Sequence, residues 1–213
     1  MTVINRNSIC TTCGTKFPHN EKVPALCPIC NDDRQFIDLK GQSWISEECL
    51  EKAHAVRIRK MSNRLHYLTV RPNFAIGQRA FLLQSPGGNI LWDCIPLLDE
   101  ATKEFIHSKG GLKAIAFSHP HFYSNMNEWA AEFNCPIYIH ENDKPWIFNR
   151  GPNVKLWGGD GKPLWEGDVK GSEAPRELAL DVTGAKRIEI LVDYGAGLDV
   201  GDRLNLCDLR VTK

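Results

Sequence analysis

Residues 114–143 read AIAFSHPHFYSNMNEWAAEFNCPIYIHEND, and this stretch decides the fold class. AIAF is a short, continuously apolar run, the pattern of a buried strand. It leads into the loop Ser118-His119-Pro120-His121 and then into NMNEWAAEFN, whose apolar residues recur at helical spacing. CPIYIH is strand-like again. Strand, loop, helix and strand in this order predict an α/β layered fold with chemistry at the strand ends.

The pattern extends toward the N-terminus. LHYLTV (65–70), FAIGQRAFLLQS (74–85) and ILWDCI (90–95) predict strands, with the turn PGGN between the last two. DEATKEFIHSKGG (99–111) predicts an amphipathic helix closed by glycines. Residues 43–62, SWISEECLEKAHAVRIRKMS, predict a helix that starts at an N-capping Ser46, with acidic residues early and basic residues late to match the helix dipole.

The chain has 213 residues, 42% of them apolar, enough for one ordinary domain and a small module. Its 26 basic and 26 acidic residues cancel, so no general field attracts phosphates and nucleic acid is not an expected partner. No run of about eighteen apolar residues is present, and the start MTVINRNSICTTCG lacks the basic and apolar regions of a signal peptide. The expected location is the cytoplasm, with no membrane partner.

Of the eight cysteines, four form the pairs Cys10-x-x-Cys13 and Cys27-x-x-Cys30, each followed by residues suited to a tight turn. Two such knuckles supply four thiolates, the tetrahedral set preferred by a structural Zn²⁺, so residues 1–40 predict a zinc ribbon. A closed set of this kind stabilises and does not catalyse. Cys49, Cys94, Cys135 and Cys207 are expected to be small buried apolar residues.

His119 and His121 sit one residue apart after a buried strand, where two imidazoles can face one cation with the help of the fixed φ of Pro120. Taken with ICTTCGTKF, CPICNDDRQF and FAIGQRAFLLQSPGGNILWDCI, the stretch from His119 to KPWI resembles a branch of the metallo-β-lactamase-fold hydrolases that carries an N-terminal zinc ribbon. The resemblance covers about residues 8–157. It implies an αββα sandwich, here incomplete, with residues 41–157 forming its N-terminal half. It implies that Asp93 braces the metal loop and that His119 and His121 bind a catalytic zinc beside the ribbon's own ion. Tyr123, a candidate catalytic residue, and Ser124 stand where the family has a metal-binding Asp and His, and no histidine follows His140. His140 ends the strand PIYIH and is a further imidazole able to swing toward a metal, with Glu141 and Asp143 as nearby carboxylates.

Residues 158–213 predict a β-rich tail of short alternating runs such as LALDV and RIEILVDY. GAKRIEILVDYG and the closing DLRV are similar to the second half of the NPCBM modules associated with carbohydrate-active proteins, with Trp157 and Trp165 as aromatics suited to stacking on sugar rings. Two functions follow as expectations. One is a metal-dependent hydrolase of a small-molecule substrate. The other is a non-catalytic zinc-ribbon scaffold or carbohydrate-binding protein. Neither substrate nor oligomeric state is readable from the residues.

Overall fold

A computed structural model describes residues 7–18, 24–31, 41–158 and 178–183. The chain divides into two compact units, Met1–Gly158 and Gly159–Lys213. Of the second unit only residues 178–183 are described; the run LALDV (178–182), expected as a strand, forms none, and the rest of the expected β-rich tail, with Trp165 and Cys207, lies outside the described residues.

The first unit begins with β1 (Asn7–Cys10), paired antiparallel with β2 (Trp44–Ser46). Ser46 caps α1 (Glu47–Ala53): its hydroxyl accepts the Cys49 N–H at 3.2 Å, and Glu47 and Glu48 occupy the positive first turn. The helix expected over 43–62 ends there. His54 closes it, its N–H donating to the Leu50 carbonyl, and Ala55–Lys60 form β3. The reason is period: Val56 and Ile58 alternate with Arg57 and Arg59, and paired in register with β4 (Leu65–Arg71) they turn inward while the arginines turn out.

From β3 the sheet grows in sequence order through β4, β5 (Arg79–Leu83), β6 (Ile90–Trp92), β7 (Ala114–Ala116), β8 (Ile137–His140) and β9 (Val154–Trp157). Pairings are antiparallel from β3 to β6 and parallel from β6 to β9. Parallel neighbours need crossovers, supplied by α2 (Glu100–Ser108), α3 (Met126–Glu132) and a 3₁₀ turn over Glu141–Trp146. Asp99 caps α2 by accepting the Thr102 N–H at 2.9 Å, and its other oxygen accepts the Val56 N–H at 2.8 Å, fastening the edge strand.

One face of the sheet is buried. Leu68, Val70, Ala80, Leu82, Leu91, Ile115, Ile137 and Ile139 pack in one core with Ile106 of α2 and Trp129 of α3. The indole N–H of Trp129 donates to the Ile95 carbonyl at 3.3 Å, which satisfies the only polar atom that ring buries. Cys94 and Cys135 are buried in this core as expected, whereas Cys49 is exposed on α1, because the buried side of that short helix is taken by Leu50. No described helix is long and apolar enough to cross a membrane.

Candidate functional site

The cysteine knuckles are built locally. The Gly14 N–H donates to the Cys10 carbonyl at 2.8 Å, and Cys30 and Asn31 both donate to the Cys27 carbonyl, at 3.0 and 2.9 Å. These turns aim four thiols inward: Cys10, Cys13, Cys27 and Cys30 are fully buried and their sulfurs all lie within 4.8 Å of one another. Cys10 and Cys30 are 3.9 Å apart at sulfur, Cys13 and Cys27 3.7 Å, and all are free thiols. Sulfur hydrogen bonds from Cys13, Cys27 and Cys30 hold the Cys10 thiol far below its ordinary range, while the hydrogen bond with Cys10 pushes Cys13 and Cys30 up. Such a cluster stabilises its first thiolate strongly and could hold a metal ion.

The second group lies at the carboxyl ends of the parallel strands. β6, β7 and β8 are level at Trp92, Ala116 and Tyr138, so Asp93, the loop from Phe117 to His121, and His140 leave the sheet on the same side. Asp93 has φ +66°, a left-handed conformation that Asp tolerates better than most residues. That turn lets its N–H reach the Ala116 carbonyl at 2.8 Å and buries its carboxylate. The Ser118 N–H donates to Oδ1 at 2.8 Å, and the Ser118 hydroxyl lies 3.0 and 2.9 Å from the two carboxylate oxygens. Burial pushes the Asp93 carboxyl up to about 6, with the Ser118 hydrogen bonds pulling the other way.

Beyond Ser118 the chain makes a 3₁₀ turn over Pro120–Phe122. The His119 and His121 rings stack with centroids 4.8 Å apart and 13° between planes, and their Nδ1 atoms are 3.0 Å apart. His119 Nδ1 also accepts the His121 backbone N–H at 3.2 Å, so it carries the lone pair and His121 Nδ1 the proton. The structure therefore brings the two histidines together. His140 makes other contacts: its Nδ1 accepts the Asn142 N–H at 3.2 Å and its ring meets Trp157 edge-on at 4.4 Å. Among the described residues, the four cysteines are the only group of three or more His, Cys, Asp or Glu whose ligand atoms converge for a metal.

Tyr123 and Ser124 hold structure together. The buried Tyr123 hydroxyl donates to Asp143 Oδ2 at 2.9 Å, and its ring packs edge-on to Phe117 at 4.9 Å. Burial, with the Asp143 charge added, raises the phenol far above its ordinary value, so it stays neutral. Ser124 meets the cysteine knuckle: its hydroxyl donates to the Gly14 carbonyl at 3.4 Å and its carbonyl accepts the Lys16 N–H at 3.4 Å.

Three comparisons bear on this geometry. A family model described as NPCBM/NEW2 domain matches residues 151–212. The chain is 44% identical over 154 residues to uncharacterized protein YmaE of Bacillus subtilis (strain 168), a match covering 71% of this chain and 56% of that protein. Among solved structures it is similar to the metallo-β-lactamase SMB-1 in complex with mercaptoacetic acid, at 17% identity and a TM-score of 0.39, over 50% of this chain and 48% of that one. It is similar also to the DIM-1 metallo-β-lactamase, at 16% identity and a TM-score of 0.39, over 51% of this chain and 54% of that one. The chain thus spans about half the length of the relatives it matches.

Residues that spacing did not single out join the two groups. Gln78, buried just before β5, donates from its side-chain amide to the carbonyl of Cys13 and, at 3.2 Å, to that of His121. Lys16, also buried, pairs with Glu128 and, at 2.8 Å, with Glu47. Burial alone would depress its ammonium; the Glu128 and Glu47 carboxylates outweigh that and hold it above its ordinary value. Lys16 carries no such signal in sequence, but Ser118, adjacent to the histidine pair, was within reach as a partner for Asp93.

Proposed function

We propose that this chain carries the metal-binding half of a metallo-β-lactamase-type hydrolase acting on a small-molecule substrate. A structural zinc sits in the four cysteines, His119 and His121 bind a second, catalytic ion, and Asp93 braces their loop. A tetrahedral zinc with sulfurs at about 2.3 Å has edges of about 3.8 Å; the sulfur separations of 3.7 and 3.9 Å fit that frame. The observation that carries the hydrolase assignment is the braced histidine pair. The two imidazoles stand together on a loop whose direction Asp93 fixes through Ser118, and binding one ion through both requires the Nδ1–Nδ1 hydrogen bond to open and the His121 proton to leave.

A catalytic zinc keeps three protein ligands and an open position, and the described residues supply two at this loop. A bound ion there supplies Lewis acidity and a water acidic enough to ionise near neutral pH. His119 and His121 hold the ion, Asp93 keeps the loop from relaxing, and the neutral Tyr123 stays on Asp143. The free thiols agree with a reducing compartment such as the cytoplasm. The test is hydrolysis of a panel of lactam, ester, thioester and phosphodiester substrates by zinc-loaded protein. Turnover abolished by a chelator and by His119→Ala is expected; turnover indifferent to His119→Ala, or none across the panel, overturns the assignment.

The NPCBM/NEW2 match over residues 151–212 favours a second reading, a carbohydrate-binding role for the tail. Saturable binding to an oligosaccharide, lost in Trp165→Ala, is its expected sign, and no binding across a glycan array would remove it.

A further inference from the structure

The cysteine cluster and the histidine loop share a set of contacts that neither needs for itself. Gln78 stands at their centre. An amide nitrogen has two protons, and Gln78 commits both to carbonyl oxygens, those of Cys13 and His121. Its own oxygen is buried without a hydrogen-bond partner, so nothing but the two carbonyls fixes the orientation of this amide. Around it the backbones are stitched directly: the Gly14 carbonyl accepts from the Ser124 hydroxyl, and the Ser124 carbonyl accepts from the Lys16 N–H. Gly14 adopts φ +73°, and a Cβ there would overlap Cγ of Pro96, so this knuckle is pressed against the segment that follows Asp93. Lys16 adds the ion pair with Glu128 at the start of α3.

From this network we propose that Gln78 is a positioning residue coupling the cysteine cluster to the histidine loop, so that metal bound by the four thiols fixes the loop that carries His119 and His121. The inference rests on the metal-site assignment above for the cysteines. Closing four sulfurs on one ion sets the direction of the Cys13 carbonyl, and Gln78 passes that constraint to the His121 carbonyl through one rigid planar group. Linkage makes the effect reciprocal: an ion held by the histidines favours the cysteine knuckle that binds its own ion.

The test uses the full chain with no metal and with one equivalent of zinc, reading hydrogen exchange at the amides of residues 118–124 and, separately, zinc affinity by competition with a chromophoric chelator. In the wild type the first equivalent is expected to slow exchange in the loop about threefold to tenfold, the effect of about one net hydrogen bond on a local opening. Gln78→Met and Gln78→Glu, which cannot donate to both carbonyls, are expected to take up that equivalent and lose the slowing. Gln42→Met is the control: Gln42 accepts from the Cys27 N–H on the opposite knuckle, and its variant is expected to keep the slowing. Loop exchange indifferent to the first equivalent in the wild type, or slowed equally in both Gln78 variants, overturns the coupling. Failure of a second equivalent to bind would strike the catalytic assignment alone, because the first equivalent still reports on the loop.

Discussion

The cysteine cluster, which could hold a metal ion, and the histidine loop, proposed to hold a second, arrange their donors differently. The cluster draws four like donors from two knuckles 14 to 20 residues apart, buries them fully, and closes the set. The loop draws two donors from one turn, leaves His119 exposed, and spends the next two residues on other work: Tyr123 on Asp143 and Ser124 on Gly14. A closed site stabilises a small module that lacks a core of its own, whereas an open one needs rigidity imported from its surroundings. Asp93 supplies it at the end of β6, and Gln78, just before β5, bonds the loop and the cysteine knuckle alike.

The contrast is broken most severely by removing one thiolate. Cys27→Ser should abolish tight zinc uptake by the cluster and cost at least about 4 kcal/mol, lowering Tm by about 8–16 °C in calorimetry; a variant as stable as the wild type would mean that the knuckles hold without metal. Next comes the brace. In metal-free protein the Asp93 carboxyl, raised by burial from 3.8 to about 6, favours folding when protonated. Its contribution is complete below the ordinary value and is lost as pH rises to about 6, so denaturant stability should fall by about 3 kcal/mol across that window and level off above it. Asp93→Asn should flatten the profile, and an unchanged profile would show that another group governs it.

A smaller effect separates the stitching from the sites. Lys16→Met leaves Glu47 and Glu128 facing each other without their cation, and with both carboxylates partly exposed the expected cost is about 1–2 kcal/mol, read by urea unfolding. A neutral or stabilised variant would place the value of that contact in its methylenes. Smallest of all is Cys49→Ser: being exposed, it should change stability by less than about 0.5 kcal/mol and zinc stoichiometry not at all.

What could be read from the residues follows the range of the physics. The knuckles are legible because ligand spacing is local, and the alternation of strand and helix from Leu65 to His140 is legible because each element announces its own period, whereas β9 was not read. The stretch 43–62 misled because its charges suit a helix throughout, while Val56 and Ile58 carry a period of two that matters only once β4 lies beside them. Gln78 was illegible for a different reason. Its partners are 65 residues before it and 43 residues after it, and one amide reaching two carbonyls leaves no trace in composition or spacing. The same holds for Ser124 and Lys16, whose roles depend on how the cysteine module meets the loop.

The most direct measurement is zinc per chain, by elemental analysis after equilibration with excess zinc and removal of loosely held metal, for the wild type and for His119→Ala/His121→Ala. Two equivalents falling to one in the variant is the result expected of a closed cysteine site beside a histidine site. One equivalent in both would contradict the second site and leave the cysteine cluster as the metal centre of this chain.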